Sequence, residues 1–148
     1  MGCIVCATRG GEGSRAAQMA AIRQAQKVGK PLVFLYVTDP DSLGDADEQL
    51  LPAIRHELNW MGRTLLQVAK GRAEAAGLEA SVEIREGNVQ EQIERFLQEV
   101  DAQVLLLGAP RGLTANVFGD DAVERFAQLI EEDTGIEVLV IYPDQENA

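Results

Sequence analysis

Ile4-Val5-Cys6-Ala7-Thr8-Arg9-Gly10-Gly11-Glu12-Gly13-Ser14 is an apolar, strand-like run that opens into a glycine-rich turn and then a helical pattern. The same arrangement returns near the other end, where Val104-Leu105-Leu106-Leu107 runs into Gly108 and a loop containing Gly112 and Gly119. Glycine permits tight backbone turns and close approach of a ligand. In an open parallel sheet, a ligand crevice is framed by the carboxyl ends of two neighbouring strands whose connections leave in opposite directions. The two turns therefore read as two walls of one site.

Between these turns, strand and helix periods alternate. Ser14 to Val28 reads as a helix with Ala17, Ala20, Ala21, Gln24, Ala25 and Val28 on one stripe and Gly29 as its stop. Leu32-Val33-Phe34-Leu35-Tyr36-Val37 is a continuous apolar run, as expected of a strand buried on both faces. After a polar loop, Leu51, Ile54, Leu58, Met61, Leu65, Val68, Arg72 and Ala75 recur at alternating intervals of three and four, which predicts a long helix with this row facing inward. Only Arg72 interrupts the apolar row, and Pro52 falls in the first turn, where its missing N–H is harmless. Gly62 and Gly71 weaken the helix, so Gly62→Ala is expected to stabilise slightly or do nothing. His56 and Trp60 fall off the row, and His56 reads as a solvated side chain.

Ala80 to Arg85 alternates with period two, the pattern of a strand with one wet face. Asn88 and Glu91 have capping spacing for a helix whose buried face is Val89, Ile93, Phe96, Leu97 and Val100. A further helix starts near Asp121, with Val123, Phe126, Ala127 and Ile130 inward, and Val138-Leu139-Val140-Ile141 is the last strand. The sum is an α/β fold: a five-stranded parallel sheet with helices on both faces, one domain over residues 1–143, and a disordered tail at 144–148. Orders 3-2-1-4-5 and 2-1-3-4-5 both fit, and the wet face of residues 80–85 favours the first by making that strand peripheral. The switch point then lies between the first and fourth strands.

Composition narrows the function. The chain has 148 residues, 46% hydrophobic and 25% charged, enough for one packed core. Its 13 basic and 24 acidic residues give a formal charge of −11, a surface that repels nucleic acid and anionic lipid. No apolar run approaches the roughly 18 residues of a membrane span. The first residues lack a basic stretch followed by an apolar one, so the expected compartment is the cytoplasm. Cys3 and Cys6 are spaced C-x-x-C but sit on a strand, where residues three apart face opposite sides, so they read as buried apolar residues.

The strand order resembles that of the universal stress protein family. So do Tyr36-Val37-Thr38-Asp39-Pro40, Gly87, Asp101-Ala102-Gln103-Val104-Leu105-Leu106-Leu107-Gly108 and the terminal Val138-Leu139-Val140-Ile141. The resemblance implies a Rossmann-like domain, usually a homodimer, with ATP or AMP bound in some members and none in others. Together with the two turns it points to candidate site residues Ala7, Thr8, Arg9, Gly10, Val37, Gly108, Arg111, Gly112, Gly119 and Asp120. Gly10 and Gly108 are expected to line the site and to tolerate no side chain.

The chain departs from the nucleotide-binding members at several points. Thr8 stands where they carry Asp, Gly112 falls one place late behind Arg111, and Gly119 is followed by Asp120 rather than a hydroxyl residue. A helix start favours phosphate, yet Asp120 and Asp121 bring carboxylates there, and Glu12 adds a third. Arg9 and Arg111 offset this if they face the crevice, and Mg bridging ATP to Asp120 would do the same. Arg9 to Ser14 is also similar to a damaged Ser-Gly-Gly-x-Asp-Ser loop of ATP pyrophosphatases, lacking its first Ser and its Asp. The readings that remain are a nucleotide-responsive binding module, a dimeric scaffold that binds no nucleotide, and, third, a slow ATPase. The last strand is apolar on both faces and lies at the sheet edge, which points to a homodimer through Val138, Leu139, Val140 and Ile141.

Overall fold

A computed structural model describes residues 2–8, 11–39, 49–109 and 122–143, with residues 11–13 as backbone. The elements are β1 (Ile4–Ala7), α1 (Gly11–Val28), β2 (Leu32–Thr38), α2 (Leu51–Ala75), β3 (Ala80–Glu86), α3 (Val89–Glu99), β4 (Val104–Gly108), α4 (Ala122–Thr134) and β5 (Glu137–Ile141). The strands form one five-stranded sheet in the order β3-β2-β1-β4-β5, and every neighbouring pair is parallel. This is the order favoured by the alternation at residues 80–85, and β3 is indeed an edge of half-buried residues. The tail at residues 144–148 lies outside the described residues.

Alternation along β1 divides the core in two. Ile4 and Cys6 pack with Ala17, Ala21, Ala25, Leu66, Ala69 and Ala73 beneath α1 and α2. Cys3 and Val5 pack with Ile93, Phe96, Leu97, Ala127 and Ile130 beneath α3 and α4. The two cysteines thus lie on opposite faces of the sheet. Burial pushes the Cys6 thiol up to about 12, so it stays protonated and behaves as a small apolar side chain.

The caps follow local chemistry. The Asn88 side chain accepts from the Glu91 N–H at 3.0 Å and closes the start of α3. At the end of α2, Gly77 takes φ +80°. The Gly77 N–H then bonds the Glu74 carbonyl and the Leu78 N–H bonds the Ala73 carbonyl, the Schellman pattern that a left-handed glycine permits.

Two helices depart from the expected faces. α1 begins at Gly11 rather than Ser14, and its buried side includes Ala16, Gln18 and Ile22 as well as the expected Ala17, Ala21 and Ala25, while Ala20 and Gln24 are half-buried. Val28 is exposed. α1 packs against both the sheet and α2, so its buried face is wider than one stripe. The α2 row has the right period and the wrong phase. Its buried residues are Gly62, Leu66, Ala69 and Ala73, while Met61 is 47% and Val68 46% exposed. The reason is clearance. β2 and β3 raise Tyr36 and Ile84 toward the helix, and a Cβ on Gly62 would stand 2.6 Å from Tyr36 Cδ1 and 2.9 Å from Ile84 Cδ1. Small residues let α2 lie close, so the bulkier row turns outward.

This reverses the expectation for Gly62. Gly62→Ala should destabilise the fold by about 1–3 kcal/mol through overpacking, whereas Gly71→Ala, where a Cβ meets nothing within 4 Å, should stabilise it by roughly 0.5–1 kcal/mol. Urea melts of the two variants check this; equal shifts would contradict the packing described.

A second test concerns α3 and α4, where Gln90 Nε2 donates to Glu94 Oε2 and to Asp133 Oδ2, both at 3.3 Å. Partial burial, then the hydrogen bond with Asp133, raises the Glu94 carboxyl above the ordinary glutamate range. A raised folded-state value contributes stability below the unfolded pKa and loses it as pH rises through the folded one. Glu94→Gln should therefore raise the melting temperature at pH 7 and flatten its fall between mildly acidic and neutral pH. A variant less stable than wild type at pH 7 would count against a raised Glu94 carboxyl.

Candidate functional site

The parallel register brings Ala7, at the end of β1, level with Leu35 of β2 and Leu107 of β4. At this end of the sheet the chain leaves β1 for α1, on one face, and leaves β4 toward α4, on the other. The divergence opens a crevice of about 50 Å³, room for a few water molecules. Its floor is Ala7, Thr8, Leu35, Val37, Leu107 and Gly108. Val89 and Ile93 of α3 and Val123 and Phe126 of α4 form an apolar wall, and Ser14 of α1 joins from the other side. Ser14, Val89 and Val123 belong to the first turns of their helices. Three helix N-termini thus converge on the crevice, and their partial positive charge favours an anionic group there.

Of the site residues read from the sequence, Ala7, Thr8, Val37 and Gly108 come together here. Arg9, Gly10, Arg111, Gly112, Gly119 and Asp120 lie outside the described residues, as do Asp121 and the side chain of Glu12. Among the described residues, no group of three or more His, Cys, Asp or Glu side chains is placed to hold a metal ion. His56 is exposed on α2. The wall residues from α3 and α4 were legible as inward-facing positions, but nothing in their spacing separates a crevice wall from a core.

A polar chain under the crevice had only one signal in the sequence. Thr8 is 1% and Gln18 3% exposed. The Thr8 N–H donates to the Leu35 carbonyl at 2.9 Å and anchors the residue. Gln18 Nε2 donates to Thr8 Oγ1 at 2.7 Å, and Arg72 of α2 donates to Gln18 Oε1 at 2.5 Å. Arg72, the one interruption of the apolar row, is therefore tied to the end of β1 through a buried amide. Among the described residues no carboxylate pairs with it.

A parallel α/β sheet in this order, with an apolar crevice at its switch point, is a Rossmann-like domain. Residues 1–128 match the universal stress protein family, and the chain belongs to that family. A universal stress protein family structure from Burkholderia pseudomallei is 25% identical, covers 93% of this chain and 94% of its own, and superposes with a TM-score of 0.67. The universal stress protein from Archaeoglobus fulgidus in complex with dAMP is 19% identical, with 95% and 98% covered and a TM-score of 0.63. A family member from Arabidopsis thaliana with AMP bound is 16% identical, with 95% and 91% covered and a TM-score of 0.67. No curated protein matches the chain significantly. No helix among the described residues is long and apolar enough to cross a membrane.

Proposed function

We propose that this universal stress protein is a regulatory module that takes an adenine nucleotide, AMP or ATP, in the crevice between β1 and β4. The observation that carries this reading is the crevice itself: an apolar slot at the switch point, with a buried hydroxyl at its floor and three helix N-termini around it. The apolar wall of Val89, Ile93, Val123 and Phe126 suits one face of a purine resting against the slot, and the helix ends suit phosphate. Family members with dAMP and with AMP bound support the same ligand class. The competing reading is a scaffold of the same family without nucleotide, favoured by Thr8 and Asp120 in place of the family's Asp and hydroxyl. A slow ATPase ranks third.

Mass spectrometry of ligand released from the purified protein separates the first two readings, an adenine nucleotide favouring the binding module and an empty protein the scaffold. The acidic pair Asp120-Asp121 further predicts that adenine and ribose contribute more than the terminal phosphates. Calorimetry without divalent metal should find AMP and ATP binding about equally, with Mg improving ATP alone. ATP far tighter than AMP under metal-free conditions would refute this account of the phosphate end.

The sheet edge supports a homodimer. β5 pairs with β4 on one side, and Val138, Leu139, Val140 and Ile141 are half-buried. An apolar edge strand leaves N–H and C=O groups to be paired, and antiparallel contact with its own copy about a two-fold axis closes the assembly. Val140→Lys should yield monomers by light scattering. A wild-type monomer at micromolar concentration, or a dimer indifferent to the change, would rule this out.

A further inference from the structure

We infer that Arg72 and Gln18 act as positioning residues that fix Thr8 as a hydrogen-bond donor, so that the crevice selects a ligand atom that accepts. Three facts on the chain carry this. First, Thr8 is both buried and on the crevice floor. Second, the orientation of the Gln18 amide is determined. Arg72 only donates, so the atom it meets at 2.5 Å is the carbonyl oxygen. The other end of the amide, its NH₂, is then what meets Thr8 Oγ1 at 2.7 Å. Third, that NH₂ occupies a lone pair of the hydroxyl and forces the Thr8 proton to point away from Gln18. Among the described residues nothing accepts that proton. A buried donor without a partner is unfavourable by itself and is relieved by any acceptor that enters the crevice.

The charge of Arg72 strengthens the arrangement. Its guanidinium polarises the Gln18 carbonyl, which makes the NH₂ a better donor and the Thr8 hydroxyl in turn a better one. A carboxylate at the end of β1 would do the opposite, because an ionised carboxylate only accepts. The chain therefore inverts the polarity that an Asp at this position would give. The matching ligand atom is an oxygen or an unprotonated ring nitrogen. A purely structural tie between β1, α1 and α2 would need the same bonds, so the test must read the ligand.

This inference rests on the nucleotide reading, and AMP is the probe. Calorimetry on folded variants should show Thr8→Val weakening AMP about five- to tenfold, the range of one hydrogen bond, with Thr8→Ser close to wild type. Gln18→Glu should weaken AMP as much as Thr8→Val, because a carboxylate at residue 18 takes the Thr8 proton for itself. Arg72→Met should weaken it by less. The Thr8→Val/Gln18→Glu double variant should be no worse than either single one. Repeating Thr8→Val with 2′-deoxy-AMP and with adenosine locates the accepting atom: the penalty vanishes with the first ligand if it is the sugar 2′-oxygen, with the second if it is a phosphate oxygen, and with neither if it is on the base. A Gln18→Glu protein that binds AMP like wild type, or penalties that add in the double variant, would overturn the proposal. The side-chain amide resonances of Gln18 keep the two levels apart. If wild type takes up no AMP while Arg72→Met and Thr8→Val still displace those resonances, the nucleotide reading fails and the chain of bonds stands. If neither substitution moves them, the chain of bonds itself is wrong.

Discussion

The fold depends on the burial of β1. Its residues hydrogen-bond on one edge to β2 and on the other to β4, and Ile4, Val5 and Cys6 are fully enclosed. A strand closed on both edges and both faces meets a ligand only at an end. The connections to α1 and toward α4 diverge at the carboxyl end, so the cleft has to open at Ala7 and Thr8. The site follows from strand order rather than from any single motif.

Much of this was legible because it rests on local patterns. The period-two alternation at residues 80–85 put β3 at the edge, and the edge position fixed the order of the other strands. The phase of α2 was not legible. Met61 and Val68 are larger and more apolar than Gly62 and Ala69, so a reading by hydrophobicity turns them inward. The deciding quantity is the space left by Tyr36 and Ile84 on other strands, and no window along α2 contains it. The same limit applies to the polar chain. Gln18 and Arg72 lie 54 residues apart; the interrupted row marks Arg72, but no window along α2 contains the partner it reaches.

The phase of α2 and the polarity of the crevice are connected. Turning Gly62, Leu66, Ala69 and Ala73 inward puts Arg72, the neighbour of Ala73, at the border of the α1–α2 contact. There its guanidinium reaches Gln18 rather than solvent. Had the larger apolar row packed on the sheet, the helix would stand farther off and this reach would be lost. Close packing on β2 and β3 thus sets the hydrogen-bonding character of the residue at the end of β1. A substitution that lifts α2 should be felt at Thr8 even though it touches no ligand.

The crevice at the ends of β1, β2 and β4 is the proposed binding site. The most direct measurement is a backbone amide NMR titration of the protein with AMP. The account predicts saturable shifts centred on Ala7, Thr8, Ser14, Val37 and Gly108, with the outer face of α2 around Trp60 and Val68 undisturbed. No saturable shifts, or shifts centred on α2 with those five amides unmoved, would contradict it.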